Sequence, residues 1–339
     1  MQRVGPLCQH RRMDKPQVLI VSPALAAANN GNWHTAARWQ RFLSPLAEVD
    51  IALAWRAEAA DALIALHARR SADSIARFHA AHPDRPLALV LTGTDLYGDL
   101  AADASAQHSL RCASHLVVLQ DEALHRLSVA DRAKARVIVQ SAPRLRRHDQ
   151  AQHSFDFVAV GHLRDVKDPL TLMHAVRELP SGCSIRVLHV GNELDEALGD
   201  AARRTMAQCL RYRWLGGLPQ DAARRWIARS RALVHMSRME GGANVVIEAL
   251  RSGVPVLASR IDGNVGLLGR DYAGYFEPGD AAALARLMLR FAAEPAFAAH
   301  LAAQCAARES GFAPEVEAAH VRGLLNDLLA HGAGTRLPQ

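Results

Sequence analysis

Two glutamates, Glu240 and Glu248, bracket a glycine-bearing turn inside residues 233–260, LVHMSRMEGGANVVIEALRSGVPVLASR. Gly241, Gly242 and Ala243 fall where a helix should begin. Free N–H groups and the positive end of a helix dipole there favour an anion such as a phosphate or diphosphate. Asn244 and Glu248 are four residues apart and share one helix face, so Glu248 can reach the same ligand. A carboxylate cannot hold a diphosphate, but it accepts hydrogen bonds well from sugar hydroxyls. The turn therefore suits a ligand with both parts, a nucleotide sugar. An isolated EGG would read equally well as an ordinary strand–helix turn.

Other clusters stand at the ends of apolar runs. Gly161, His162, Arg164 and Lys167 lie in the loop 160–168, VGHLRDVKD, which follows the run 155–160. Earlier, Asn30, Gly31 and Asn32 follow the run 17–22, and Gly31 permits close approach of backbone to a ligand. His67, Arg69 and Arg70 end the run 62–66, and Thr92, Thr94 and Asp95 end the run 87–91. The three basic residues together fit a small anionic acceptor. Asp95 would equally serve as a helix cap. Gln140 and Ser141 close the run 136–140 and face the same way.

These residues need elements to hold them. Strands are expected at 17–22, 49–54, 62–66, 87–91, 115–119 and 136–140, then at 155–160, 184–190, 212–215, 232–236, 254–259 and 274–276. Helices are expected at 33–43, 71–79, 102–112, 243–252, 281–293, 295–307 and 314–330, with a further one starting at Pro169. Strands alternating with helices imply parallel, doubly wound sheets. The polar stretch 144–154 reads as a linker between two Rossmann-like halves. Their ligand crevices should open at the carboxyl ends of the strands and face each other across a cleft. The expected organisation is a disordered basic tail at 1–15, an acceptor-side domain at 16–145, a nucleotide-sugar domain at 154–310 and a final helical segment at 311–339.

The region from Glu240 to Val256 resembles the donor-binding signature of retaining GT-B glycosyltransferases of the family 4 type. There an E-x7-E pair flanks a Gly-rich turn and an N-V-x-x-E-A helix, followed by an x-G-x-P-V strand; here these are Glu240, Gly241, Gly242, Asn244, Val245, Glu248, Ala249, Gly253, Pro255 and Val256. The loop 160–168 resembles that family's G-R-L-x-x-x-K loop, with Lys167 matching the lysine and His162 standing where an arginine is usual. A neutral histidine supplies less charge than arginine, which leaves open whether His162 or Arg164 takes that place. The turn at Gly31 is similar to the family's glycine-rich turn after the first strand. The resemblance implies a GT-B fold, a last helix crossing back onto the first domain, and donor binding by Gly31, His162, Arg164, Lys167, Glu240, Gly241, Gly242, Ala243, Asn244, Val245 and Glu248. It places sugar hydroxyls at Glu240 and the ribose at Glu248.

A narrower resemblance covers nearly the whole chain after residue 16. SPALAAANNGNWHTAARW, LIALHARRSADSI, VLTGTDLY, LVVLQ, VIVQSA and GHLRDVKDP are similar to the selenosugar synthases of selenoneine biosynthesis. That resemblance implies transfer from a UDP-sugar, such as UDP-N-acetylglucosamine, to selenophosphate, with formation of a C–Se bond. The expected catalytic group is then Glu240, Lys167 and His67. The acceptor would meet Asn30, Asn32, His67, Arg69, Arg70, Thr92, Thr94 and Asp95. A hexosyltransferase with a conventional acceptor, a UDP-sugar epimerase or hydrolase, and a sugar-nucleotide sensor are the competing readings.

Composition bounds the rest. At 339 residues the chain has room for two domains of about 150 residues each. A net charge of +6 favours anionic ligands, but the basic residues are scattered among acidic ones, which argues against nucleic acid. Five cysteines lack any C-x-x-C spacing, so reduced thiols and a cytoplasmic location are expected, with no zinc site. Arg11 and Arg12 before the run 18–28 imitate a signal peptide, but Asp14, Lys15 and Pro16 interrupt it. No apolar run approaches the length of a membrane span. No D-x-D pair is suited to bridge a metal and a diphosphate, so neither a metal nor a cofactor is expected.

Overall fold

The computed structural model of the protein describes residues 15–25, 31–146 and 155–334. Residues 1–14 of the expected tail, Asn30, and positions 147–154 of the expected linker lie outside the described residues.

Runs of aliphatic residues build the first sheet: β1 (Gln17–Val21), β2 (Glu48–Ala52), β3 (Ala62–Leu66), β4 (Leu87–Val90), β5 (His115–Val118) and β6 (Ala135–Val137). All its pairings are parallel, in the order β2-β1-β3-β4-β5-β6. A strand covered on both faces must be apolar throughout, and ALIAL of β3 is buried at every residue. Helices α1 (Gly31–Leu43), α2 (Ala72–Ala81), α3 (Ala104–Cys112) and α4 (Val129–Ala133) connect the strands. The run expected as a strand to 140 leaves the sheet after Val137, and its last residues turn towards the second domain.

The second sheet repeats the arrangement with β7 (Phe155–Val160), β8 (Ile185–Val190), β9 (Tyr212–Trp214), β10 (Ala232–His235), β11 (Val256–Ser259) and β12 (Tyr275–Phe276), in the order β12-β11-β10-β7-β8-β9. It is parallel throughout. Its helices are α5 (Pro169–Glu178), α6 (Glu196–Gln208), α7 (Gln220–Arg229), α8 (Asn244–Arg251), α9 (Asp262–Leu268), α10 (Ala281–Ala293) and α11 (Pro295–Ala306). Pro169 and Pro295 open their helices, where a missing N–H costs nothing. After α8 the chain stops in a Schellman turn: Gly253 takes φ 68°, its N–H donates to the Leu250 carbonyl, and Val254 N–H donates to Ala249. That turn aims the following Pro255 and Val256 straight into β11.

The chain passes between the domains twice, and the passages lie side by side, with Ala142 N–H donating to the Phe312 carbonyl at 3.2 Å. The last helix, α12 (Pro314–Gly334), then packs on the first domain. Val321, Leu324, Leu325 and Leu328 are buried with Ile20, Trp39 and Ile64. Glu317 of α12 is buried as well. It accepts hydrogen bonds from Arg38 Nε at 2.6 Å, Trp39 Nε1 at 2.8 Å and Ser141 N–H at 2.7 Å. Strand order reverses beside β1 in one sheet and beside β7 in the other. Ligands of such sheets bind at these reversals, and the loops leaving both open onto one interdomain cleft.

Candidate active site

A cavity of about 570 Å3 lies between the domains, lined from both sides. Its second-domain wall comes from the loops after β7 and β10. The β10 loop delivers Glu240, Gly241, Gly242 and Ala243, and α8 starts at Asn244 with no side chain capping its first turn. Those five residues and Val245 all line the cavity. The unsatisfied N–H groups of the helix start thus face a space able to take an anion.

Lys167 comes from the single turn Asp165–Lys167 after β7. Asp168 follows in a left-handed conformation, φ 47°, and its carboxylate accepts from Thr171 Oγ1 at 2.7 Å and Arg238 Nη2 at 3.1 Å. This brace holds Lys167 against Glu240, to whose Oε1 its ammonium donates. Burial alone would raise the Glu240 pKa. The Lys167 charge and the His235 imidazole, 3.4 Å away, outweigh it and keep the carboxyl well below the usual carboxylate range. Glu240 is therefore an anion at any physiological pH.

Glu248 is set differently. It sits one turn into α8, 4% exposed, and accepts from Gln220 Nε2 at 2.8 Å. Arg224 Nε stands 4.0 Å away, too far for a hydrogen bond. Burial pushes the Glu248 carboxyl up to about 7, against smaller pulls from Gln220 and Arg224. Near neutral pH it can thus both donate and accept, which suits a diol.

His162 and Arg164 also line the cavity. His162 Nδ1 accepts from the Asn192 N–H at 3.0 Å, which leaves its proton on Nε2. Arg164 Nε is buried without a hydrogen-bond partner among the described residues. Behind both loops, His189 joins Tyr212 Oη at 2.8 Å to the Gly161 carbonyl at 3.2 Å, and burial drives its pKa down to about 4. A neutral imidazole there fixes the spacing between β8 and the loop after β7.

The first-domain wall presents Gly31, Asn32, His34 and Thr35 from the start of α1, Arg70 after β3, and Thr92, Gly93 and Thr94 after β4. Burial, with the Arg38 charge adding to it, holds His34 below its ordinary pKa. Gln140 completes this wall, donating to Thr35 Oγ1 at 2.5 Å. Three expectations are corrected here. His67 is 1% exposed and stands behind the wall, within 3.1 Å of Thr94 Oγ1. Asp95 is fully buried and accepts from the N–H groups of Ala68, Thr92 and Gly93 at 2.8, 2.9 and 3.0 Å. It ties the β3 and β4 loops together and has no face on the cavity. Arg69 is exposed but does not line the cavity.

The walls touch at their tips. A Cβ on Gly93 would lie 2.5 Å from Gly241 N, and one on Gly241 would lie 1.4 Å from the Thr92 carbonyl oxygen. Only glycine fits at either position. Sequence reasoning missed His34, Thr35, Asn192, Gln220, His235 and Met239. Asn192 directly follows Gly191, and Gln220 comes three residues after the Gly216–Gly217 pair, so the glycines after β8 and β9 were the signal that could have found them. His34 sat in plain view three residues after Gly31.

The two facing, parallel Rossmann-like domains define the GT-B fold. Among solved structures, the chain superimposes on sucrose-phosphate synthase from Thermosynechococcus elongatus with a TM-score of 0.76 and 16% identity, over 93% of this chain and 99% of that one. HepE from Anabaena in complex with UDP-glucose gives a TM-score of 0.72 and 14% identity, over 92% and 100%. TarM from S. aureus, in complex with fondaparinux, alpha-GlcNAc-glycerol and UDP, gives 0.61 and 15% over 79% of this chain; the chain spans 55% of its length. Residues 154–294 match the family described as Glycosyl transferases group 1. That match spans the second domain, including Lys167, Glu240 and Glu248. Among the described residues, no helix is long and apolar enough to cross a membrane.

Proposed function

We propose that the protein transfers the sugar of a UDP-sugar, UDP-N-acetylglucosamine, to selenophosphate and so makes a selenosugar on the route to selenoneine. The observation that carries the transferase part is the Lys167–Glu240 pair beside the uncapped start of α8, in a cavity walled by both domains. Support for the narrower part is the sequence resemblance together with the small, partly cationic first-domain wall.

In this reading the bond between the anomeric carbon and the diphosphate oxygen breaks, and its electron pair leaves with UDP. A selenium lone pair forms the new C–Se bond, and the immediate product keeps the phosphoryl group on selenium. Negative charge grows on the diphosphate as that bond stretches. Lys167, Arg164 and the N–H groups from Gly241 to Asn244 meet it, each worth about 3 kcal/mol when water is excluded. Arg164, which lines the cavity and whose buried Nε has no partner among the described residues, takes the place of the missing phosphate-side arginine. Glu240, ionised and fixed, accepts hydrogen bonds from the sugar hydroxyls, and Glu248 holds the ribose. An acceptor already ionised near neutral pH needs no strong general base.

The test is mass spectrometry after mixing the protein with UDP-N-acetylglucosamine and selenophosphate. A selenium-bearing sugar with stoichiometric UDP is the expected result. UDP release only with a hydroxyl or phosphate acceptor would remove the selenium and leave the transferase. Conversion of the UDP-sugar with no acceptor present would point to an epimerase or hydrolase.

A further inference from the structure

We propose that the Thr94 hydroxyl is the donor that meets the incoming anion on the first-domain wall, and that His67 is a positioning residue acting through it. The proposal rests on the anionic-acceptor reading above.

Three threonine hydroxyls line the cavity on this side, and their protons are not equivalent. Thr35 Oγ1 donates to the Gly31 carbonyl at 2.8 Å and accepts from Gln140. Thr92 Oγ1 donates to Asp95 Oδ1 at 3.0 Å. Both hydrogens are engaged inside the wall. Thr94 differs because of its histidine. The Arg70 N–H donates to His67 Nδ1 at 3.3 Å, so Nδ1 carries the lone pair. In the neutral ring the proton then sits on Nε2, which donates to Thr94 Oγ1 at 3.1 Å. The Asp95 carboxylate is 3.8 Å from Nδ1, too long to pull the proton to that side. Thr94 Oγ1 therefore accepts from behind and its own O–H has no protein acceptor among the described residues. It is left to point into the cavity.

The surroundings suit an anionic oxygen. Arg70, whose backbone orients His67, also lines the cavity. The register is held under strain: His67 adopts φ 74°, a left-handed conformation uncommon for a residue with a side chain. Asp95 accepting from the next N–H, that of Ala68, fixes this kink. An arrangement that tolerates such a backbone to seat a buried histidine behind one hydroxyl makes that hydroxyl's direction specific.

The experiment is calorimetric titration of inorganic phosphate into the protein saturated with UDP, which blocks the diphosphate site. Thr94→Val should weaken phosphate binding about tenfold, the scale of one charge-assisted hydrogen bond, and Thr94→Ser should restore it. UDP affinity should be unaltered in both. His67→Asn, chosen because asparagine tolerates the left-handed backbone, should weaken phosphate less. The double variant Thr94→Val/His67→Asn should be no worse than Thr94→Val alone, since one residue acts through the other. Unchanged phosphate affinity in Thr94→Val, or additive losses in the double variant, overturns the proposal while leaving the transferase reading in place. Failure of the wild type to bind UDP overturns that reading, and the proposal with it.

Discussion

On the second-domain wall, the ionisable residues Lys167, Arg164, Glu240 and Glu248 line the cavity. On the first-domain wall, Asp95, His67 and Arg38 turn inward, and hydroxyls, amides and one arginine face the cavity instead. Each arrangement fits what its side would bind. A donor diphosphate keeps its position while its charge grows, so fixed ions opposite it act where they are most useful. An acceptor must enter and leave, and directed neutral donors hold it without trapping it. The same residue types therefore do different work: a carboxylate at Glu240 lines the cavity, whereas a carboxylate at Asp95 is a staple for two loops.

Replacing one member of each wall sharpens the contrast. Glu240→Ala should show the largest effect, a fall in kcat of about a thousandfold with UDP binding retained; wild-type turnover would break the assignment of that wall. Next comes Glu248, whose folded pKa of about 7 exceeds its ordinary 4.5. Between those values the folded protein binds more protons than the unfolded chain, so this group's contribution to stability falls as pH rises through the interval. Glu248→Gln removes the slope. In denaturant titrations the variant should gain up to about 3 kcal/mol on the wild type between about pH 5 and about pH 8. Lys167→Ala should lower kcat about a hundredfold, mainly through the transition state, and should leave the phosphate titration at saturating UDP unchanged. Asp95→Asn should act in the opposite sense to Glu240→Ala. It should cost about 2 kcal/mol of unfolding free energy, because the amide cannot accept from three N–H groups at once. A loss of turnover with full stability would place Asp95 on the ligand instead.

How far these walls can be read from residues alone follows from the same contrast. Glu240, the glycines and Glu248 are adjacent in sequence, so a strand–turn–helix pattern with the right spacing announces a site. The α/β alternation is equally plain, because short aliphatic runs such as ALIAL can only be buried strands. The first-domain wall is assembled from four separate loops, and its outcome depends on rotamers. Nothing local distinguishes His67, which points behind the wall, from His34, which lines the cavity. Asp95 reads as a helix cap, and one of its actual partners, Ala68, becomes a neighbour only when β3 and β4 pair. Gln140 reads as the end of a strand, yet the chain departs from the sheet after Val137 and swings this residue into the cavity.

The return of α12 to the first domain carries a consequence for how the protein is made. A ribosome releases β1 to β6 well before Val321, Leu324, Leu325 and Leu328 exist, so the part of that sheet face not packed by Trp39 and Leu43 of α1 must wait uncovered while the second domain is synthesised. Domains usually fold as they emerge, amino-terminal part first; here the earlier half is completed last. Nascent chains ending before Pro314 should therefore expose sticky aliphatic surface to chaperones, and Glu317 would be the group that signals completion by closing on Arg38, Trp39 and Ser141.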